Sequence, residues 1–123
     1  MKFILDDIDA GHAIQRYGQG EIVINGIIHR RSLVILPDRI IAEWRPESCQ
    51  ELLQNDFALL AELTPEIVVL GTGAKQRFPH PSLTQPLIES RIGLEVMDTA
   101  AACRTYNILM SEGRRVAAAL IMI

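Results

Sequence analysis

Aromatics, cysteines and excess positive charge are all scarce in this chain, and each scarcity removes a class of function. One Trp, two Tyr and three Phe make up 5% of the 123 residues, too few for a base-stacking platform. Twelve basic residues against fifteen acidic ones leave a formal charge of −3. Without a basic surface to supply affinity for phosphates, nucleic acid is excluded as a partner. The two cysteines, Cys49 and Cys103, have neither CxxC spacing nor a dense framework. They argue against a secreted disulfide scaffold and for two thiols in a reducing cytoplasm. No apolar run approaches the ~20 residues of a membrane helix. The most apolar stretch, Val116 to Ile123, has the length of a buried strand. The opening Met-Lys-Phe-Ile-Leu turns acidic at Asp6, Asp7 and Asp9, unlike a signal-peptide core or a transit peptide. A soluble, cytoplasmic protein that does not span a membrane is expected.

What is present is globular composition, 49% apolar and 22% charged, at a length that suits one domain over residues 1–123. Residues 1–45 are rich in short β-branched segments: Phe3–Leu5, Ile14–Tyr17, Glu21–Ile24, Ile27–Arg30, Leu33–Leu36 and Ile40–Trp44. Asn25-Gly26 between two of them predicts a type I′ hairpin, whose central residues both need positive φ. Pro37-Asp38 predicts a second turn. Together they read as an N-terminal β-meander.

Helical spacing begins after Pro46. Ser48 and Glu51 fit a capping box, with Leu53, Phe57 and Leu60 on one face and Asn55-Asp56 as a point where a second short helix could restart. Thr64-Pro65 closes it. Ile67-Val68-Val69-Leu70 then reads as a central strand buried on both faces. Ser82 to Arg91 is helical if Pro86 lies in the first turn. Leu94 to Met97 is a strand, and Asp98 or Thr99 caps a helix bearing Ala102, Tyr106, Leu109 and Met110. Arg115 to Met122 is the closing strand. The alternation predicts an α/β fold with crossover helices.

One candidate ligand site emerges. Ligands of open α/β sheets bind beyond the carboxyl ends of the strands. There, Gly71 and Gly73 bracket Thr72, Lys75 and Arg77 supply charge, and Asp98 and Thr99 follow the neighbouring strand. Backbone amides with these side chains could hold a small anion. The plain alternative is structural: glycines that permit a turn and a residue that caps a helix. Gly-x-Gly here lacks the third glycine of a dinucleotide fingerprint and the ending of a phosphate loop. His12, His29 and His80 sit in separate elements without ligand spacing, so no metal site is nominated. No Gly-x-Ser-x-Gly exists and neither cysteine has an activating histidine in view, so no catalytic residue is nominated either. Trp44 is either an exposed anchor or a cap on the core.

Three stretches carry a resemblance. They are Glu66-Ile-Val-Val-Leu-Gly-Thr-Gly73, Gly93-Leu-Glu-Val-Met-Asp-Thr-Ala100 with Thr105-Tyr-Asn107, and Glu112-Gly-Arg-Arg-Val-Ala-Ala-Ala-Leu120. The strand–Asn-Gly–strand hairpin and Leu36-Pro37-Asp38 agree more loosely. Together they resemble a family of small, uncharacterised bacterial and archaeal domains. That family includes the mitochondrial assembly factor of respiratory complex I numbered third in its series. The resemblance implies a three-layer α/β fold around a central mixed sheet, and it brings no established enzyme activity, cofactor or catalytic residue. For its mitochondrial member it implies protein partners, namely subunits of a respiratory or membrane complex. Unlike that member, the chain opens without a targeting extension, which points to a bacterial origin. Two functions are therefore expected to compete: an interaction or assembly protein, and a small-molecule or anion binder, or an enzyme, acting at the Gly71–Arg77 and Asp98–Thr99 loops.

Overall fold

A computed structural model describes residues 11–123. The segment expected as a strand at Phe3–Leu5, and Asp6, Asp7 and Asp9 after it, lie outside the described residues. Three strands, β1 (Ile14–Gly18), β2 (Glu21–Ile24) and β3 (Ile27–His29), form a small antiparallel meander. Asn25 and Gly26 take φ of 52° and 77° between β2 and β3, the left-handed pair that the turn requires.

The second hairpin, β4 (Leu33–Leu36) and β5 (Arg39–Ile41), does not continue this meander. It joins β6 (Ile67–Thr72), β7 (Gly93–Met97) and β8 (Val116–Ile121) in a five-stranded sheet of order β5-β4-β8-β6-β7. β6 is parallel to β7 and β8, while β4 is antiparallel to β8 and β5. The reason is burial. All four residues of β4 are buried, whereas Ile27 and Ile28 of β3 are exposed. An apolar run needs both faces covered and so takes an interior place.

Alternate residues of the large sheet feed two cores, as period-two side chains must. Leu33, Ile35, Val69, Ala118 and Leu120 pack with Ile22 and Ile24 of the meander and with Ala102 and Tyr106. Val34, Leu36, Val68, Leu70 and Ala119 pack with Trp44, Phe57, Leu60 and Leu87. The first face is covered by the meander and α3 (Thr99–Ser111), the second by α1 (Gln54–Glu62) and α2 (Gln85–Glu89). The result is the three-layer α/β arrangement expected, and Trp44 belongs to its core.

The first helix starts later than its spacing suggests. Ser48 heads only a 3-10 turn, Cys49–Glu51, and makes no cap bond to the backbone. Its hydroxyl instead donates to Glu51 Oε2 at 3.3 Å. The α-helix restarts at Gln54, where the Asp56 carboxylate accepts the Leu53 N–H at 2.8 Å. Leu53 therefore stands outside the helix and is 54% exposed. The same carboxylate also holds Arg45, which donates to Asp56 Oδ2 at 2.7 Å and Oδ1 at 3.2 Å. Pro86 falls in the first turn of α2, where its missing N–H costs nothing. Asp98 caps α3 by accepting the Ala101 N–H at 2.9 Å. A Schellman pair ends it, with Gly113 N–H to the Met110 carbonyl and Arg114 N–H to the Leu109 carbonyl.

Candidate functional site

In the register of β6 and β7, Gly71 lies opposite Met97. The peptides following these two parallel strands consequently leave the sheet side by side at one rim. Gly71, Thr72, Gly73, Asp98 and Thr99 converge there, and their polar groups address one another. Thr99 is fully buried. Its hydroxyl donates to the Ile121 carbonyl at 2.6 Å and accepts the Gly73 N–H at 2.8 Å, while its own N–H donates to the Gly73 carbonyl at 2.9 Å. One side chain thus ties together the ends of β6 and β8 and the start of α3.

Thr72 serves the following loop in the same way. Its hydroxyl donates to the Lys75 carbonyl at 2.6 Å and accepts the Arg77 N–H at 3.2 Å. Gly71 makes the approach possible: a Cβ there would stand 2.8 Å from Thr99 Oγ1 and 3.0 Å from Thr99 Cα. A glycine placed for close packing is one of the uses the residue has inside a strand. Lys75 and Arg77, by contrast, are exposed, and neither forms an ion pair among the described residues.

Arg77 opens onto something that the strand–glycine pattern does not announce. A shallow groove of about 340 Å³ is lined by Cys49, Gln50 and Leu52 from the 3-10 turn and its flank, and by Arg77–His80 with Leu83 from the loop after β6. Phe78 projects there with 74% of its surface exposed. His80 is fixed by the turn it caps, its Nδ1 accepting the Ser82 N–H at 3.1 Å. Gln76 donates to the Val96 carbonyl at 2.9 Å, and Gln54 of α1 to the Ser82 carbonyl at 3.0 Å. The only hint in the sequence is Arg77-Phe-Pro-His-Pro81, an aromatic and two stiff prolines beside a cation. The partner wall is contributed from residues 49–52, and no local spacing reveals that.

The two thiols hold their protons. Burial pushes the Cys49 thiol up, with Arg77 opposing. Burial also pushes Cys103 up to about 12, against the weaker pull of Arg104, so neither thiol is poised as a nucleophile at neutral pH. Among the described residues, no three His, Cys, Asp or Glu side chains converge as metal ligands would. No helix among them is long and apolar enough to cross a membrane.

A family model described as "Protein of unknown function (DUF498/DUF598)" matches residues 14–121. The chain is 42% identical over 90 residues to NADH dehydrogenase [ubiquinone] 1 alpha subcomplex assembly factor 3 of Mus musculus, covering 72% of this chain and 48% of the mouse protein. It thus spans about half the length of that relative. A crystal structure from Bordetella parapertussis is similar with a TM-score of 0.86 at 35% identity, covering 91% of this chain and 96% of the other. A Mth938-like domain solved from Bordetella pertussis has a TM-score of 0.79 at 29% identity, covering 92% and 87%. By sequence match and by fold, the chain belongs to the DUF498/DUF598 family.

Proposed function

We propose that this protein acts without catalysis, holding subunits of a membrane-bound NADH dehydrogenase during its assembly. The observation that carries the reading is the 42% identity to a relative whose name is that of an assembly factor. The rim chemistry agrees with it. The hydroxyls of Thr72 and Thr99 and the amide of Gly73 are engaged internally, so little is left there to recognise or activate a substrate. A small anion would have to rely on Lys75 and Arg77. Phosphates, nucleotides and carboxylates that raise the melting temperature, with the shift lost on Lys75→Ala plus Arg77→Ala, would favour that other reading.

The assembly reading is tested by capturing the tagged full chain from its native cells and quantifying co-purified proteins against an untagged control. Enrichment of NADH dehydrogenase subunits, with partly assembled intermediates on native gels when the gene is deleted, is the expected result. Normal levels of the intact complex in the deletion strain, with no such subunit enriched, would remove the reading.

A further inference from the structure

We infer that the groove between the 3-10 turn and the Arg77–Leu83 loop is the face that takes a partner protein, and that it takes an acidic segment carrying an aromatic or branched aliphatic anchor. The inference rests on the assembly reading and names the surface and the chemistry through which it operates. Three features of the groove lead to it.

The first is charge. Arg77 and His80 line the groove and no carboxylate does, in a chain whose formal charge is −3. Arg77, like Arg39, Arg91 and Arg104, has no ion-pair partner among the described residues, whereas Arg16, Arg30, Arg31, Arg45, Arg114 and Arg115 do; of those four, it is the one that lines the groove. A planar guanidinium left free at a concave surface is suited to a carboxylate from outside, which it can hold by two parallel hydrogen bonds.

The second is the apolar lining. Leu52, Phe78, Pro79 and Leu83 share the groove, and Phe78 is the most exposed large apolar side chain among the described residues at 74%. Aromatics and arginine are the residue types enriched at protein interfaces and among their energetic hot spots. A volume of about 340 Å³ lies near the lower end of the ~300–1,000 Å³ seen for small-molecule sites. The groove is open and shallow, so it would leave a small molecule largely in water. A peptide side chain whose neighbours lie along the surface suits this shape better.

The third is rigidity. The exposed residues are presented by a loop that is tied at each end, by Arg77 N–H to Thr72 and Gln76 to Val96 at one and by Gln54 of α1 to the Ser82 carbonyl at the other. Pro79 and Pro81 restrict what lies between. A surface already held in shape loses less entropy on binding. The buried hydrogen bonds of the rim thus have a role: Thr72 anchors the loop that presents Arg77 and Phe78.

Random peptides displayed on phage are selected on the full chain, and the recovered peptides are measured by fluorescence anisotropy against wild type, Arg77→Glu and Phe78→Ala. Both positions are exposed, and unchanged circular dichroism and melting temperature establish that the variants fold; Arg77→Gln serves if Arg77→Glu does not. Recovered peptides are expected to place Asp or Glu beside an aromatic or aliphatic residue. Each variant should bind them at least about tenfold more weakly, and amide shifts on binding should centre on residues 49–52 and 77–83. Selection of no peptide, selection of basic peptides, equal binding by the variants, or a self-association abolished by Phe78→Ala would overturn the inference. Capture from cells separates the two levels. Subunits retained by Arg77→Glu and Phe78→Ala as well as by wild type would eliminate the groove and leave the assembly reading standing. Groove-dependent peptide binding without any captured NADH dehydrogenase subunit would do the reverse.

Discussion

Replacing Gly71 by alanine should be among the most damaging single-methyl additions this protein can receive. The backbone is not the obstacle, because Gly71 is a strand residue outside the left-handed region. The obstacle is space. The new Cβ would lie 2.8 Å from Thr99 Oγ1, 3.0 Å from Leu120 Cδ2 and 3.0 Å from Thr99 Cα. Leu120 can rotate, but Thr99 cannot yield without losing its bonds to Ile121 and Gly73. Overpacking alone costs about 1–3 kcal/mol, and weakening two buried hydrogen bonds adds about 0.5–1.5 kcal/mol each. A total of about 2–6 kcal/mol is expected, against a stability of about 5–15 kcal/mol for a typical domain. Trp44 is the single tryptophan and is buried, so its fluorescence reports urea unfolding directly. Gly18→Ala is the control, since nothing lies within 4 Å of its added methyl. In a double-mutant cycle, Thr99→Ala removes the nearest contact, so the pair should cost at least about 1 kcal/mol less than the sum of the singles. A Gly71→Ala protein within about 0.5 kcal/mol of wild type, or strict additivity of the pair, would show that the rim is looser than its distances indicate.

Three further outcomes follow from the packing. Asp56→Ala removes the carboxylate that receives both Arg45 and the Leu53 N–H; a loss of about 2–3 kcal/mol is expected by denaturation, and half of that or less would mean the pair is mostly solvated. Asn107→Ala breaks the two bonds, at 2.9 and 2.8 Å, by which α3 holds the Ile14 backbone. Hydrogen exchange should then accelerate in β1–β3 and stay slow in β6 and β8, whereas uniform acceleration would deny the meander its separate docking. Stability should fall on the alkaline side. Cys103 keeps its proton in the fold up to about 12 against an ordinary 9.0. Between those values the unfolded chain has lost a proton that the folded one retains, so stability drops by about 1.4 kcal/mol per pH unit for that group. Burial pushes Tyr106 up as well, steepening the loss at higher pH. Cys103→Ala should flatten the first part of the fall, and an unchanged slope would reject burial of the thiol as its cause.

Elements specified by their own residues were legible in the sequence. Asn25-Gly26 dictates its turn whatever surrounds it, and the buried runs of β6 and β8 and the Asp98 cap of α3 are equally local signals. What escaped was decided at a distance. By sequence the β4–β5 hairpin reads as part of the meander because its chemistry is that of any hairpin; its true neighbour, β8, lies more than eighty residues along. Ser48 matched a helix cap in spelling, yet Asp56 does the capping, since a carboxylate already fixed by Arg45 is the better-placed acceptor. At the candidate site, the convergence of Gly71–Gly73 with Asp98 and Thr99 could be inferred from two parallel strands. That the hydroxyls of Thr72 and Thr99 would be spent on their own neighbours could not, because the recipients include the carbonyl of Ile121 at the far end of the chain.

The same distinction bears on where function can reside. A sheet rim is available to a ligand only if its amides and hydroxyls still have bonding capacity, and an unpaired buried group would cost about 1–3 kcal/mol. Here the turns after β6 and β7 satisfy each other, which braces the rim and leaves the Thr72 and Thr99 hydroxyls and the Gly73 amide engaged internally. The cation and aromatic that follow, Arg77 and Phe78, have no such internal use. Exposed groups on a braced loop contribute nothing evident to the fold, and the bracing would lower the entropy lost when something outside is bound. If the groove takes a partner as inferred, residues 72–83 divide by burial: Thr72 is placed for stability, and Arg77 to His80 for contact.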